Sequence, residues 1–250
     1  MTSRSFPIFP LGKETHKTTL PVNEVFWDGV VQGEGPYAGR ACGFIRLGLC
    51  NLKCPPCDTH QTWDTSRHDL AKTCPETPIE EAVGLLPDNL RMVVISGGEP
   101  LIWQRTPAFT TMLKLLSLRK IEIHVETNGT LSPAPDNDLF IKHYSVSPKL
   151  AAMGGADPVT KRIKPAVIAT FTKHAAAGRA IFKFVVENAG HIDEVARFAQ
   201  RHNIDPSWVW VMPEASDTET LLARQPEVTA AGARLGFNSS TRMHMIAQCR

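Results

Sequence analysis

Three cysteines crowd the ten residues CNLKCPPCDT, from Cys50 to Thr59. Thiols at Cys50, Cys54 and Cys57 face one centre only if the loop wraps around it, which is what an iron-sulfur cluster or a zinc ion demands of its ligands. The fourth ligand separates the two. His60 is close enough in sequence to complete a zinc set of three cysteines and one histidine. A cluster held by three protein thiolates instead leaves one iron open to a substrate or cofactor, as a catalytic centre requires. Cys42, Cys74 and Cys249 stand apart and read as small buried hydrophobes. Six cysteines in 250 residues are too few for a disulfide scaffold, so the clustered thiols point to metal or redox chemistry in a reducing compartment, and a cytoplasmic chain is expected.

The elements that must position this loop are legible as alternation. β-rich runs occur at GFIRLGL (43–49), RMVVISGG (91–98), IEIHVETNG (121–129), HYSVSPK (143–149), AIFKFVVE (180–187) and WVWVMPE (208–214). Between them, residues 78–86, 108–118, 159–177, 192–202 and 218–235 carry apolar residues at helical spacing. Thr77 and Pro78 look like the N-cap and first turn of the first of these helices, with Glu80 and Glu81 where the helix dipole favours acids. The pattern predicts an α/β fold, a parallel sheet of about six strands covered by helices, either open or curled into a partial barrel two strands short of the eight-stranded one. Residues 1–20 read as a loosely ordered extension and residues 21–250 as one domain.

In such sheets the ligand lies beyond the carboxyl ends of the strands. Five of those ends are chemically unusual: GLCNLKC, SGGEP, ETNGT, SPK and MPE. Five such loops converging on one face predict a site rather than a set of turns. Composition narrows its clientele. With 27 Lys and Arg against 25 Asp and Glu the formal charge is only +2, too balanced for a protein that holds nucleic acid through its phosphates. No apolar run approaches the roughly 18 residues of a membrane span, and no signal-peptide core is visible, so neither membrane nor nucleic acid is an expected partner.

The pair formed by CxxxCxxC on the first strand exit and GGEP on the second resembles the signature of the radical S-adenosylmethionine enzymes. The resemblance implies that Cys50, Cys54 and Cys57 hold a 4Fe-4S cluster whose open iron is chelated by S-adenosylmethionine, reductive cleavage of which yields a 5′-deoxyadenosyl radical. Gly97 and Gly98 suit close backbone approach to the methionine moiety. Glu99 is placed to orient that loop, to meet the ammonium group or to cap a helix.

The segment NEVFWDGVVQGEGPYAGRACGFIRLGLCNLKCPPCDTHQTWD further resembles the N-terminal block of the 7-carboxy-7-deazaguanine synthase family. The likeness continues through SGGEP, ETNGT, SPK and VMPE and covers roughly residues 23–250. It implies a homodimeric, pared-down radical-enzyme barrel that contracts 6-carboxy-5,6,7,8-tetrahydropterin to 7-carboxy-7-deazaguanine with loss of ammonia, in queuosine-type 7-deazapurine synthesis. A reductant such as flavodoxin or ferredoxin is implied as the electron donor. Matched residue by residue, Val31, Gln32, Gly33, Glu34, Arg46 and Ser96 fall at the pterin, and Thr59 at a Mg2+ ion. Pro56, Cys57, Asp58, Gly98, Ser147, Pro148 and Lys149 fall along S-adenosylmethionine, with Met212, Pro213 and Glu214 on the adenine side and Glu126 and Asn128 at the ribose.

Several of these residues have plainer readings. Thr59 also suits a turn after Asp58, and Asn128 before Gly129 an ordinary turn. An arginine in an apolar strand is costly to bury unpaired, which favours a ligand role for Arg46 over a structural salt bridge, while Arg40 reads as surface or scaffold. Pro56 stands where the superfamily usually has an aromatic residue, and Ser96 where the family usually has Thr. Near the C-terminus Arg242 and His244 match the family's Arg-x-His strand, with His244 either core-facing or at the pterin. A glycyl-radical-enzyme activase, or a zinc-stabilised module built on Cys50, Cys54, Cys57 and His60, are the competing readings.

Overall fold

A computed structural model describes residues 18–154 and 157–249. Its sheet contains β1 (Thr19–Phe26), β2 (Gly43–Leu47), β3 (Glu76–Pro78), β4 (Met92–Gly97), β5 (Glu122–Thr127), β6 (Ile141–Val146), β7 (Ala180–Val186), β8 (Val209–Pro213) and β9 (Asn238–Ser239). These lie side by side in the order 3-1-2-4-5-6-7-8-9. The six strands expected from the sequence all form and pair in parallel, in chain order. Three more were not expected. β1 and β3 are antiparallel additions at one edge, and the two-residue β9 extends the other. β1 carries Pro21 and a register shift between Val22 and Glu24, so it lacks the clean alternation that reveals a strand.

Most of the expected extension, residues 1–17, lies outside the described residues, and Thr19 and Leu20 are already in β1. Thr77 does not cap a helix. It pairs with Leu20 in β3, and the helix α1 (Ile79–Gly84) starts after Pro78 without a side-chain cap, because the Ile79 N–H donates to the Thr18 carbonyl. The covering helices α2 (Pro107–Leu118), α3 (Pro165–Ala176), α4 (Ala189–Arg201) and α5 (Thr218–Ala233) follow the expected positions. The long helical stretch expected over 159–177 is broken, with a separate turn at Val159–Arg162, because Pro165 forces Lys164 into an extended conformation. Among the described residues no helix is long and apolar enough to cross a membrane.

Strand alternation sends the two faces of the sheet to different environments. Ile123, Val125, Val93 and Ile95 join Phe109, Met112, Leu113 and Leu116 of α2 in the main core. On β5 the alternate residues are Glu122, His124 and Glu126, on β6 His143 and Ser145, and on β7 Lys183. Residues from β1, β2, β4, β5, β6, β7 and β8 line one cavity, so the sheet curls around a polar interior as a partial barrel.

Candidate active site

The cavity encloses about 910 Å³ and opens at the carboxyl ends of the parallel strands. Its first wall is the cysteine loop. Beyond β2 the chain turns through Leu49, whose φ of 70° is a left-handed value uncommon for a branched side chain. Backbone bonds tie this turn to the end of β4: Gly98 N–H donates to Leu47 O at 3.0 Å and Glu99 N–H to Leu49 O at 2.8 Å. A Cβ on Gly98 would overlap the Leu49 carbonyl, so the close approach demands glycine.

Cys50, Cys54 and Cys57 all line the cavity as half-buried free thiols. Two of the sulfurs already accept hydrogen bonds, Cys50 from Leu52 N–H at 3.4 Å and Cys57 from Trp63 Nε1 at 3.3 Å. Burial pushes the Cys50 thiol up to about 12 against the pull of that N–H, and burial also raises Cys54, opposed by Lys149. Such thiols become thiolates only when a cationic centre compensates for their desolvation. Among the described residues no three His, Cys, Asp or Glu side chains converge closely enough to hold one metal ion. All three cysteines nevertheless border one shared space. His60 does not complete a zinc set: its Nε2 lies 3.4 Å from the Pro55 carbonyl and its ring packs near Trp63.

Pro56, Asp58, Gly98, Ser147, Lys149, Met212 and Glu214 also line the cavity. Lys149 Nζ donates to Ser147 Oγ at 3.0 Å, and Glu214 is paired with Arg224 at 2.6 Å. Pro148 and Pro213 are not among the lining residues. Pro213 is the last residue of β8, where alternation turns it opposite to Met212, while Pro148 lies beyond the end of β6. Glu99 does not line the cavity either. It is fully buried and accepts from Leu101 N–H at 3.1 Å, Thr127 Oγ1 at 2.8 Å and Asn128 N–H at 2.6 Å, which makes it a cap and a brace. Burial raises its carboxyl despite those donors. Asn128 lines the cavity while donating to Asn51 at 2.9 Å and accepting from Thr130.

Another wall is the QGEG loop and what faces it. Val31, Gln32, Gly33 and Glu34 all line the cavity, together with Arg46, Ser96 and Thr59. Glu126 also lines the cavity and accepts from Ser96 Oγ at 2.8 Å and from Gln32 Nε2 at 3.4 Å. Arg46 is paired with Glu24 at 2.8 Å, so it is both a cavity residue and half of an ion pair. Arg40 is scaffold, bidentate on Glu122. Arg242 and His244 reach the cavity from the C-terminal segment, His244 packing so closely on Gly33 that a Cβ there would strike its ring.

Lys183 was not singled out in the sequence, yet it is buried at the centre of this wall and bonded to Glu34. The reasoning that picked Arg46, a cation inside an apolar strand, applies equally to Lys183 in AIFKFVVE. Burial pushes Glu34 up, but Lys183 and Arg242 outweigh it and hold the carboxyl below its ordinary range. Burial pulls Lys183 down, while Glu34 and Glu126 more than offset it. Cys42 and Cys74 are buried as expected, whereas Cys249 is half-buried and lines the cavity.

The radical SAM superfamily model matches residues 45–166, the stretch running from β2 past β6. A 7-carboxy-7-deazaguanine synthase of Hyperthermus butylicus is 36% identical over 237 residues, covering 92% of this chain and 94% of the relative. The chain belongs to the 7-carboxy-7-deazaguanine synthase family. A second member of the family, from Pyrobaculum aerophilum, is 35% identical over 87% of this chain and 90% of its own length. In fold, the chain matches the crystal structure of QueE from Escherichia coli with a TM-score of 0.62 at 22% identity, over 90% of this chain and 95% of that one. Superfamily membership implies a 4Fe-4S cluster, S-adenosylmethionine and a reductant, and Cys50, Cys54 and Cys57 line one cavity.

Proposed function

We propose that this chain converts 6-carboxy-5,6,7,8-tetrahydropterin into 7-carboxy-7-deazaguanine with release of ammonia, as its family name indicates. The observation that carries the reading is the single cavity that unites the three thiols with the QGEG loop, Arg46 and Glu126. When bound, the cluster and S-adenosylmethionine supply one-electron reduction and hydrogen abstraction. The chain supplies position. Glu34 and Glu126 accept from the donor-rich edge of the pterin, Gln32 and Ser96 hold Glu126 in place, and Arg46 offers a cation to the substrate carboxylate. Cys50, Cys54 and Cys57 are assigned to the cluster, and Pro56, Asp58, Gly98, Asn128, Ser147, Lys149, Met212 and Glu214 to S-adenosylmethionine, with Pro148 and Pro213 as backing.

Mg2+ belongs to the same proposal. The Thr59 hydroxyl lines the cavity 3.4 Å from Cys57 Sγ, and an ion there takes its remaining ligands from water and the substrate carboxylate. A homodimer, a flavodoxin or ferredoxin donor and a cytoplasmic location complete the reading, the last in keeping with thiols that must stay reduced. The test is anaerobic reconstitution with iron and sulfide, followed by S-adenosylmethionine, Mg2+, reductant and the pterin. Mass spectrometry should find 7-carboxy-7-deazaguanine. Cleavage of S-adenosylmethionine without that product would send the substrate assignment elsewhere.

A further inference from the structure

A second, small space of about 10 Å³ adjoins the cavity. Gln32, Glu34, Glu126 and Ser145 line both spaces, so their side chains form the partition between them. The far side of the void includes Tyr37, His124 and His143. His143 is only 5% exposed, and among the described residues neither of its ring nitrogens has a hydrogen-bond partner. The Tyr37 ring stands edge-on at 4.8 Å and the His124 ring at 5.3 Å, contacts that pack the imidazole without serving its nitrogens. The neighbouring His124 is committed to Glu122 at 2.7 Å.

A buried imidazole with both nitrogens unpaired is rare, because buried polar groups nearly always find a partner in protein or ordered water. Burial, with His124 beside it, pulls His143 down to about 3, so the ring is neutral and presents one donor and one bare acceptor. An internal water needs about 10–15 Å³ and two to four polar partners. The void meets the lower bound and offers His143, Ser145 and Glu126. Glu126 has room for another donor, since its bond from Gln32 is long at 3.4 Å.

We propose that this void binds one water molecule between the His143 imidazole and the Glu126 carboxylate, and that through this water His143 positions Glu126 for the pterin. The water site stands on geometry alone, and the positioning role rests on the function proposed above. The experiment is a crystal structure of the cluster-loaded protein together with anaerobic calorimetric titration of the pterin, in the presence of S-adenosylmethionine, into wild type, His143→Phe and His143→Gln. Density should appear within about 3.2 Å of a His143 ring nitrogen and of Glu126. His143→Phe, which cannot hold the water, should weaken pterin binding about five- to tenfold, while His143→Gln stays within about twofold and both bind S-adenosylmethionine normally. An empty void overturns the site. Unchanged pterin affinity in His143→Phe, or an equal loss in both variants, overturns the positioning role. A wild type that holds the water but binds no pterin sinks the proposed function and leaves the water site standing.

Discussion

Glu34 and Asp138 are matched carboxylates in opposite circumstances. Their side chains are 16% and 21% exposed, and each is answered by two basic partners, Lys183 and Arg242 for Glu34, Arg179 and His174 for Asp138. Around Asp138 the bonding is saturated: Tyr144, His174 and Arg179 all donate to it, Arg179 also reaches the Asp138 and Ile141 carbonyls, and His174 Nδ1 lies 2.9 Å from Thr170 O. Around Glu34 it is not. Among the described residues Arg242 Nε is buried with no hydrogen bond, only the 3.6 Å ion-pair contact to Glu34, and Lys183 and Glu34 both line the open cavity. A network that uses up its donors reads as scaffold, whereas charge left over beside open space supports the ligand role proposed for this wall.

The largest effect should come from a residue wholly on the site side of that contrast. Cys54→Ala is expected to abolish S-adenosylmethionine cleavage, a loss beyond about a thousandfold, because the cluster loses a ligand. The metal-free chain should melt within a few degrees of wild type. Cleavage surviving in the reconstituted variant, read as 5′-deoxyadenosine, would remove the cluster assignment.

Lys183→Met should lower product formation by about a hundredfold and also cost roughly 3 kcal/mol in urea unfolding, since Glu34 loses its closest partner. Adding Glu34→Gln should recover most of that stability and none of the activity. Recovery of both would make the pair scaffold after all. Arg46→Ala should keep the cluster, seen by its absorbance, and weaken pterin binding about tenfold through loss of an anion partner. Loss of cluster with pterin affinity intact would refute that role.

The mirror-image experiment is Asp138→Asn, which should cost roughly 2–3 kcal/mol of stability at neutral pH and leave turnover per folded molecule unchanged. Its pH dependence has a definite sign. Burial raises the Asp138 carboxyl, but Arg179, Tyr144 and His174 together hold it below its ordinary value, so its stabilisation is fully present above the ordinary aspartate range near 4. That stabilisation disappears as pH falls through the depressed folded value. The stability gap between wild type and Asp138→Asn should therefore narrow on acidification, and a gap independent of pH would show that packing, not charge, carries the effect.

How much of this was legible in the sequence depended on whether the signal was local. The six parallel strands were visible because each is a short apolar run ending in turn chemistry, and the cysteine loop because its ligands are adjacent in the chain. β1 and β3 were not, since Pro21 and the bulge at Val22 and Glu24 hide the alternation that pairing restores. Most residues that the likeness singled out line the cavity, but the contacts among them were not legible. Glu126 belongs beside Gln32 and Ser96 because three different elements bring them together, and no spacing along the chain encodes that. Pro148 and Pro213 do not line the cavity although their sequence neighbours do, and adjacency in the chain could not reveal that.

The backbone seam between Leu49 and Gly98 makes two loops mechanically one. A side chain at Gly98 has nowhere to go except into the peptide that leads to Cys50, and Trp103 Nε1 fastens the same region again through Gly48 O at 2.9 Å. Any displacement of the glycine-rich turn is thus transmitted to the first thiol. The spacing between the Gly98 turn and Cys50 is a fixed dimension of the backbone. Drift in one loop, over evolution or under engineering, has to be matched by the other.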